Sequence, residues 1–543
     1  MSSDNLGAKQ EFSLKMRMKT YAEHSTIKFL PRLMRANSFL HKILWVLTFI
    51  IGTSVASYLL AGLLHTYTSY EKTLSVAAQE GARPPFPDVT VCNLNPLWNH
   101  ADGWGLLAQV EGVPNLLRYD QYIYLLYKSL YLSDGDRSFE RTNPELYSVS
   151  GYLKHTKYDK GALDDLHKIF IWKCVWENGK TQQPCVIKST VTPTNGLCYT
   201  IRPPPGQGIR VKTRQEGLAV ILFLNKTNPH FVADYRLSPF ESYTEGVKVY
   251  LHARGTVPEM DKGFTVAPGT EASVVAKCKK RLLLKKPYGD CKEMRLDTFS
   301  NFDPLKIWNY TQYACRSLCY QNRIVEKCGC LDSTEITFDN IIFKHRYCSI
   351  FSLTNPDKAL SDLNCTRAVK VELDINGTCN AMCSPPCEHN DYETFINQVP
   401  WPSDIYILAF YYSYLRRRLP SKAFEQYGLA LDLALVGNRT AAWQMIKNND
   451  LIKENFLQLT VTMDDALTLA EDKPSISVAE IVGSLGGILN LYIGFNLITI
   501  ADVLDFFLTL IFDRIMRRKV HTDEKRENHR RQPEITTVEP FRI

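Results

Sequence analysis

The sequence predicts a membrane protein in which two transmembrane helices bracket a large disulfide-rich α+β extracellular domain. Three observations predict it. Two stretches, Ile43–Leu64 and Ile481–Ala501, carry no charged residue and are each long enough to cross a bilayer core as a helix. All 15 cysteines lie between them, from Cys92 to Cys387. So do the Asn-x-Thr acceptors Asn225, Asn309, Asn364, Asn376 and Asn438, the expected glycosylation sites. Cysteines and acceptors confined to one segment mark the oxidising side of a membrane.

Residues 1–42 come first. Eight Lys/Arg (Lys9, Lys15, Arg17, Lys19, Lys28, Arg32, Arg35, Lys42) oppose Asp4, Glu11 and Glu23 before the first span, and Arg517-Arg518-Lys519 follow the second. Basic flanks at both ends place both termini in the cytoplasm. The net charge of +7 is mild and calls for no nucleic-acid partner. The first span, residues 43–64, starts too far in and is too long for a cleaved signal, so it reads as an uncleaved anchor. Trp45, Tyr67 and Tyr70 suit its interfaces.

Residues 65–477 then form the extracellular part. Pro84–Asn93 reads as a turn entering a strand, and a helical, Tyr-rich segment runs from about 98 to 170. Gly217–Leu224 and the alternating Val247, Val249, Leu251 read as strands. A cysteine-dense zone follows from Cys278 to Cys387. Cys328-x-Cys330 and Cys379-x3-Cys383-x3-Cys387 have zinc-like spacing, but no His lies at a finger-like distance, so neither a metal site nor a cofactor is expected. Pro400-Trp401-Pro402 breaks the chain. Tyr406–Leu419 and Ser421–Asn448 read as helices, and Leu457–Met463 as a returning strand. The strands after the first span and before the second are expected to lie side by side, linking the domain mechanically to both helices.

The second span, within residues 478–512, is not uniformly apolar. At 100° per residue Glu480, Gly483, Gly487, Asn490, Gly494, Ala501 and Asp505 share one stripe. Such a stripe fits helix–helix packing through Gly483/Gly487, or the wall of a water-filled pore. Residues 513–543 read as a polar cytoplasmic tail.

Together these landmarks resemble the degenerin/epithelial sodium channel/acid-sensing ion channel family over about residues 26–512. The residues that carry the resemblance are Phe86–Asn93 (FPDVTVCN), Gly196–Thr200 (GLCYT), Gly246–His252 (GVKVYLH), Cys315-x3-Cys319 with Cys328-x-Cys330, and the Gly-rich helix Gly483–Gly494. The resemblance implies a homotrimer with palm, finger, thumb, knuckle and β-ball, a sodium pore lined by the second span, and block by amiloride-type compounds. It implies the disulfides Cys92–Cys198, Cys174–Cys185, Cys291–Cys387, Cys315–Cys383, Cys319–Cys379, Cys328–Cys365 and Cys330–Cys348. Cys278 is left as a free thiol or an alternative partner for Cys291.

By position, the resemblance pairs Tyr70 with Tyr288 as a gating wrist, the latter replacing a Trp. It puts the constriction at Gly494-Phe495-Asn496 instead of Gly-x-Ser, where glycine exposes carbonyls to sodium and Asn496 offers a polar side chain. It makes Asp502 and Asp505 inner-pore carboxylates, and puts Lys28-Phe29 where a re-entrant cytoplasmic segment carries His-Gly. The finger and the Trp172-Lys173-Cys174-Val175-Trp176 run look most like the invertebrate FMRFamide-gated sodium channels. A peptide carrying Phe and Arg needs aromatic faces and carboxylates. Candidates are Tyr122, Tyr124, Tyr127 and Tyr131, with Asp120, Asp134, Asp136 and Glu140. Proton gating and constitutive opening remain alternatives, with a non-conducting receptor behind them. No phosphate loop, Gly-x-Ser-x-Gly or His-Glu-x-x-His motif supports an enzyme.

Overall fold

The computed structural model describes residues 16–82, 84–94, 108–131, 137–147, 151–152, 154–155, 168–177, 182–192, 195–203, 217–225, 244–293, 308–336, 345–418 and 424–530. The chain folds as two compact units, Leu74–Lys473 and Met1–Thr73 with Pro474–Ile543.

The larger unit is built on two sheets. Its strands are β1 Lys72–Gln79, β2 Asp88–Asn93, β3 Ile171–Glu177, β4 Gln182–Pro184, β5 Val186–Thr192, β6 Gly196–Arg202, β7 Gly217–Phe223, β8 Val247–His252, β9 Phe264–Val266, β10 Thr270–Leu282, β11 Glu388–Pro400 and β12 Phe456–Pro474. One sheet runs β11-β10-β12-β7-β3-β4 with β1 also on β12; the other runs β5-β6-β2-β8-β9. Alternating Val89 and Val91, Val247 and Val249, Val274 and Ala276, and Leu457, Leu459 and Val461 are buried in one core with Trp176 and Tyr199. In β10 and the start of β12 burial alternates because side chains alternate across the pleat, whereas β2 is buried on both faces.

The strand adjoining the first apolar helix is therefore β1, and it is β1 that lies on β12. The Phe86–Asn93 motif forms β2 in the other sheet, between β6 and β8. The returning strand runs to Pro474, well past Met463. β10 pairs parallel with β12 and antiparallel with β11, from Thr270↔Pro400 to Leu282↔Glu388.

The thumb is the insertion between β10 and β11. Its first helix, Gln312–Cys328, starts where the Thr311 hydroxyl accepts from Ala314 N at 3.1 Å and stops at Gly329, φ 70°. The second, Pro356–Asn376, begins with proline and stops at Gly377, φ 59°. Disulfides Cys291–Cys387, Cys315–Cys383, Cys319–Cys379 and Cys328–Cys365 nest inward, with sequence separations of 96, 68, 60 and 37. Cys330–Cys348, Cys174–Cys185 and Cys92–Cys198 complete the seven pairs that the resemblance implies. Cys278 is free and buried, so its role as a rival partner for Cys291 falls away. Burial raises its thiol pKa to about 11. Among the described residues no cluster suits a metal ion.

The finger helix Tyr119–Ser129 shares one core with the thumb: Tyr122, Leu126 and Tyr152 are buried with Leu318, Ile324 and Phe351. The expected Ser421–Asn448 helix is two, Glu425–Leu435 and Arg439–Lys447. Gly437 at φ 89° and the Asn438 side chain, which accepts from Ala441 N, stop one and start the other. Tyr406–Leu419 is shorter than expected: a single helical turn, Ile407–Phe410, runs into a π turn, Tyr411–Leu415.

In the smaller unit the first apolar helix runs from Phe39 to Thr68 and is almost wholly exposed in the single chain, as a lipid-facing helix would be. The second apolar segment breaks into Val478–Ile493 and Leu497–Phe512, bent by 74°. The helix after the break runs on to Arg530, where a polar tail was expected.

Candidate functional site

The break in the second apolar segment is where chemistry-bearing residues gather. Ser477 and Glu480 start it with a reciprocal cap: Glu480 N donates to the Ser477 hydroxyl at 3.2 Å, and Ser477 N to the Glu480 carboxylate at 2.7 Å. Its last turn, Leu489–Ile493, widens to a π turn. Gly494 then takes φ 75°, a left-handed conformation that costs any other L-residue about 1–2 kcal/mol. Gly494 N donates to Asn490 O and Phe495 N to Leu489 O, both at 3.1 Å, which closes the helix end. The negative end of the helix dipole faces the break.

Asn496 restarts the chain. Its Oδ1 accepts from Thr499 N at 3.0 Å and from the Thr499 hydroxyl at 3.2 Å, so the side chain caps the second half-helix. The expectation that Asn496 offers its side chain to a passing ion is corrected: the amide oxygen is committed to the cap. The continuous stripe is corrected too. Glu480, Gly483, Gly487 and Asn490 share one half, while Ala501, Asp502 and Asp505 belong to the other, turned by 74°. A 100° wheel assumes one helix, and Gly494 ends it. Within the first half, a Cβ added at Gly483, Gly486 or Gly487 would meet no atom of the described residues within 4 Å beyond the helix's own backbone. By contrast Gly52 of the first apolar helix sits against the Tyr492 carbonyl, 2.7 Å from where its Cβ would be.

The segment preceding the first helix packs on this break. Thr26 Oγ1 lies 3.4 Å from Thr499 Oγ1, Phe29 stacks on Phe49 at 4.4 Å, and Tyr21 stacks on Phe506 at 4.4 Å. The Lys28 side chain lies along Gly494. Lys28 and Phe29 thus join the hinge residues, which spacing alone did not reveal.

Of the other candidates, Tyr70 is half-exposed at φ 52° in the smaller unit, and Tyr288 is half-buried after the cis Lys286–Pro287 bond in the larger. In the finger, Tyr122 is fully buried and its hydroxyl donates to Leu146 O at 3.0 Å. Tyr127 is buried as well. Both are corrected from ligand contacts to buried positions, Tyr122 sharing with Leu126 the helix face covered by the thumb. Tyr124 and Tyr131 are 65% and 96% exposed. Asp134 and Asp136, and the side chains of Asp120 and Glu140, lie outside the described residues. Asn309, Asn364, Asn376 and Asn438 are exposed and Asn225 is half-buried.

Sequence reasoning missed a cluster between finger and thumb. His155 is buried; its Nε2 accepts from Phe351 N at 3.3 Å, its Nδ1 has no partner among the described residues, and its ring lies 5.0 Å from that of Tyr122. Burial lowers its pKa to about 4. Beside it Lys154 Nζ sits 5.0 Å over the Tyr347 ring, with its pKa lowered by burial to about 8 against the opposing pull of Asp332. A lone His in a polar run gives no periodic signal, so only the packing exposes it.

An apolar helix, a second apolar segment hinged at a glycine, and a disulfide-stapled β-rich unit between them define a membrane protein of the two-span, large-ectodomain class. The chain belongs to the amiloride-sensitive sodium channel family, whose model matches residues 21–506. It is 22% identical over 527 residues to the FMRFamide-activated amiloride-sensitive sodium channel of Cornu aspersum, covering 86% of this chain and 79% of that one. It is 24% identical to acid-sensing ion channel 1 of Gallus gallus, over 90% of this chain and 83% of the relative. Against the degenerin-like protein asic-2 of Caenorhabditis elegans the figures are 22%, 91% and 86%. A solved proton-activated chloride channel overlaps with a TM-score of 0.28 at 8% identity, covering 86% of this chain and 98% of that one, and contributes nothing to the assignment.

Proposed function

We propose that three copies of this chain form a plasma-membrane sodium channel, with both termini cytoplasmic, opened by an extracellular peptide of the FMRFamide type. The observation that carries the pore is the hinged segment. Its glycine face, Gly483, Gly486 and Gly487, is exposed among the described residues, and Gly494 at φ 75° ends the helix. Three such faces meeting on an axis would bring the backbone around Gly494 close to a permeating cation. Asp502 and Asp505 on the following half-helix would concentrate cations below them.

Peptide gating is supported by the likeness to an FMRFamide-activated relative and by two exposed finger aromatics, Tyr124 and Tyr131. Movement would pass through β1 and β12, each joined in sequence to one apolar helix, with Tyr70 and Tyr288 coupling the domain to the pore. Proton gating is the second reading. It is favoured by the acid-sensing relatives and by His155, held neutral in the finger–thumb core.

The test is two-electrode voltage clamp of oocytes expressing the chain, given FMRFamide-like peptides, then acid, then amiloride. A peptide-evoked, amiloride-blocked sodium current is expected. Current evoked by acid alone would move the assignment to the second reading. Silence to all three with the protein at the surface would end the channel reading.

A further inference from the structure

We propose that Lys28 sets cation throughput: its ammonium stands in cytoplasm-facing water at the hinge and lowers the local concentration of permeating cations. The proposal rests on the channel reading above.

The argument starts from placement. Lys28 is exposed, and its stem runs along the hinge glycine: a Cβ on Gly494 would sit 3.4, 3.5 and 3.6 Å from the Lys28 Cβ, Cγ and Cδ. The backbone around it is held on three sides. Ile27 N donates to the Ser25 hydroxyl at 3.2 Å, Leu30 N donates to Ile27 O at 3.0 Å, and Thr26 meets Thr499. Phe29 is stacked on the first apolar helix through Phe49. Lys28 is thus fixed beside the break and is not a frayed end.

Depth comes next. Gly494 lies 16 residues beyond Val478, about 24 Å along a helix, against a hydrocarbon core about 30 Å thick. An ammonium near that depth is costly unless it is paired or wet. Among the described residues no carboxylate, Asp502 and Asp505 included, lies within ion-pair distance of it. The remaining distance of about 6 Å to the inner face is within reach of a lysine side chain, so cytoplasm-facing water meets its ammonium there. The carbonyl end of the preceding helix favours a cation there, which explains why the residue is tolerated. It does not neutralise the charge felt by an ion crossing the same water.

The magnitude is modest. Three fixed charges about 10 Å from the axis, screened over a Debye length of about 8 Å, change cation occupancy by about twofold. Two arms test this. In inside-out patches, Lys28→Gln should raise unitary sodium conductance about twofold in physiological salt, and less at about 1 M salt, while Lys28→Arg matches the wild type. Lys28→Cys should react with hydrophilic thiol reagents applied from the cytoplasmic side, at a rate comparable to an exposed Asn37→Cys control. Background labelling is low, because fourteen of the fifteen cysteines are paired and Cys278 is buried. The labelling arm needs no current, so it separates a wrong placement of Lys28 from a wrong channel reading. Protection of Lys28→Cys with Asn37→Cys labelled would overturn the proposal, as would a labelled site whose Lys28→Gln variant conducts like wild type at both salt concentrations.

Discussion

Acidification should loosen the finger–thumb core through His155. The imidazole is 4% exposed, and its Nε2 already accepts the Phe351 amide, so a proton can arrive there only by displacing that bond. Its pKa is lowered from 6.5 to about 4. When the core opens, the ring regains its ordinary value. The open form then binds the proton that the closed form refuses, and closed-state stability rises with pH between about 4 and 6.5. The contribution is fully present above about pH 6.5 and is lost as pH falls through the window. A difference of 2.5 units corresponds to about 3 kcal/mol in full, of which about 2 kcal/mol is lost by pH 5. Lys154 does not blur this window, because its own transition lies near 8 and above. The measurement is hydrogen exchange at the Phe351 amide, corrected for intrinsic rate, at pH 7.5 and pH 5. Wild type should lose roughly 30-fold in protection. His155→Gln keeps an acceptor for the amide and carries no titrating group, so it should lose far less. Equal losses in the two proteins would refute the reasoning, since His252, also lowered to about 4 by burial, lies in the other core and is untouched.

Three further outcomes are expected. Gly494→Ala meets ordinary van der Waals space but a left-handed φ; it should destabilise the hinge by about 1–2 kcal/mol and cut the evoked current severalfold with surface protein unchanged, as measured by voltage clamp and surface biotinylation. Tyr124→Ala and Tyr131→Ala should raise the half-activating peptide concentration, whereas Tyr122→Phe, which loses only the hydroxyl bond to Leu146 O, should lower stability by about 1 kcal/mol and leave potency alone. A shift with Tyr122→Phe and none with the exposed pair would place the ligand elsewhere. Tyr70→Ala should abolish evoked current without loss from the surface, and normal gating in that variant would remove Tyr70 from the coupling path.

Much of this architecture was legible in the residues. Uncharged length marks the apolar helices, because a bilayer core tolerates no charge along about 20 residues. Confinement of the cysteines marks the stapled unit, and period two marks the start of β12, where Leu457, Leu459 and Val461 are buried between half-buried Gln458 and Thr460. The disulfide pairing and the wrist positions came from the family likeness; spacing alone leaves fourteen cysteines with too many pairings to choose among.

Which segments are apolar and which are stapled is therefore readable from local composition alone. What only the tertiary structure decided is where helices stop and what they touch. A positive φ at Gly494 converts one wheel into two, commits Asn496 to a cap and turns Asp502 and Asp505 away from Gly483. Burial of Tyr122 and His155 likewise depends on thumb residues about two hundred positions away. Contacts over such separations leave no local period, because the side chains that cover a residue are chosen by the folded path of the chain and not by its neighbours in sequence.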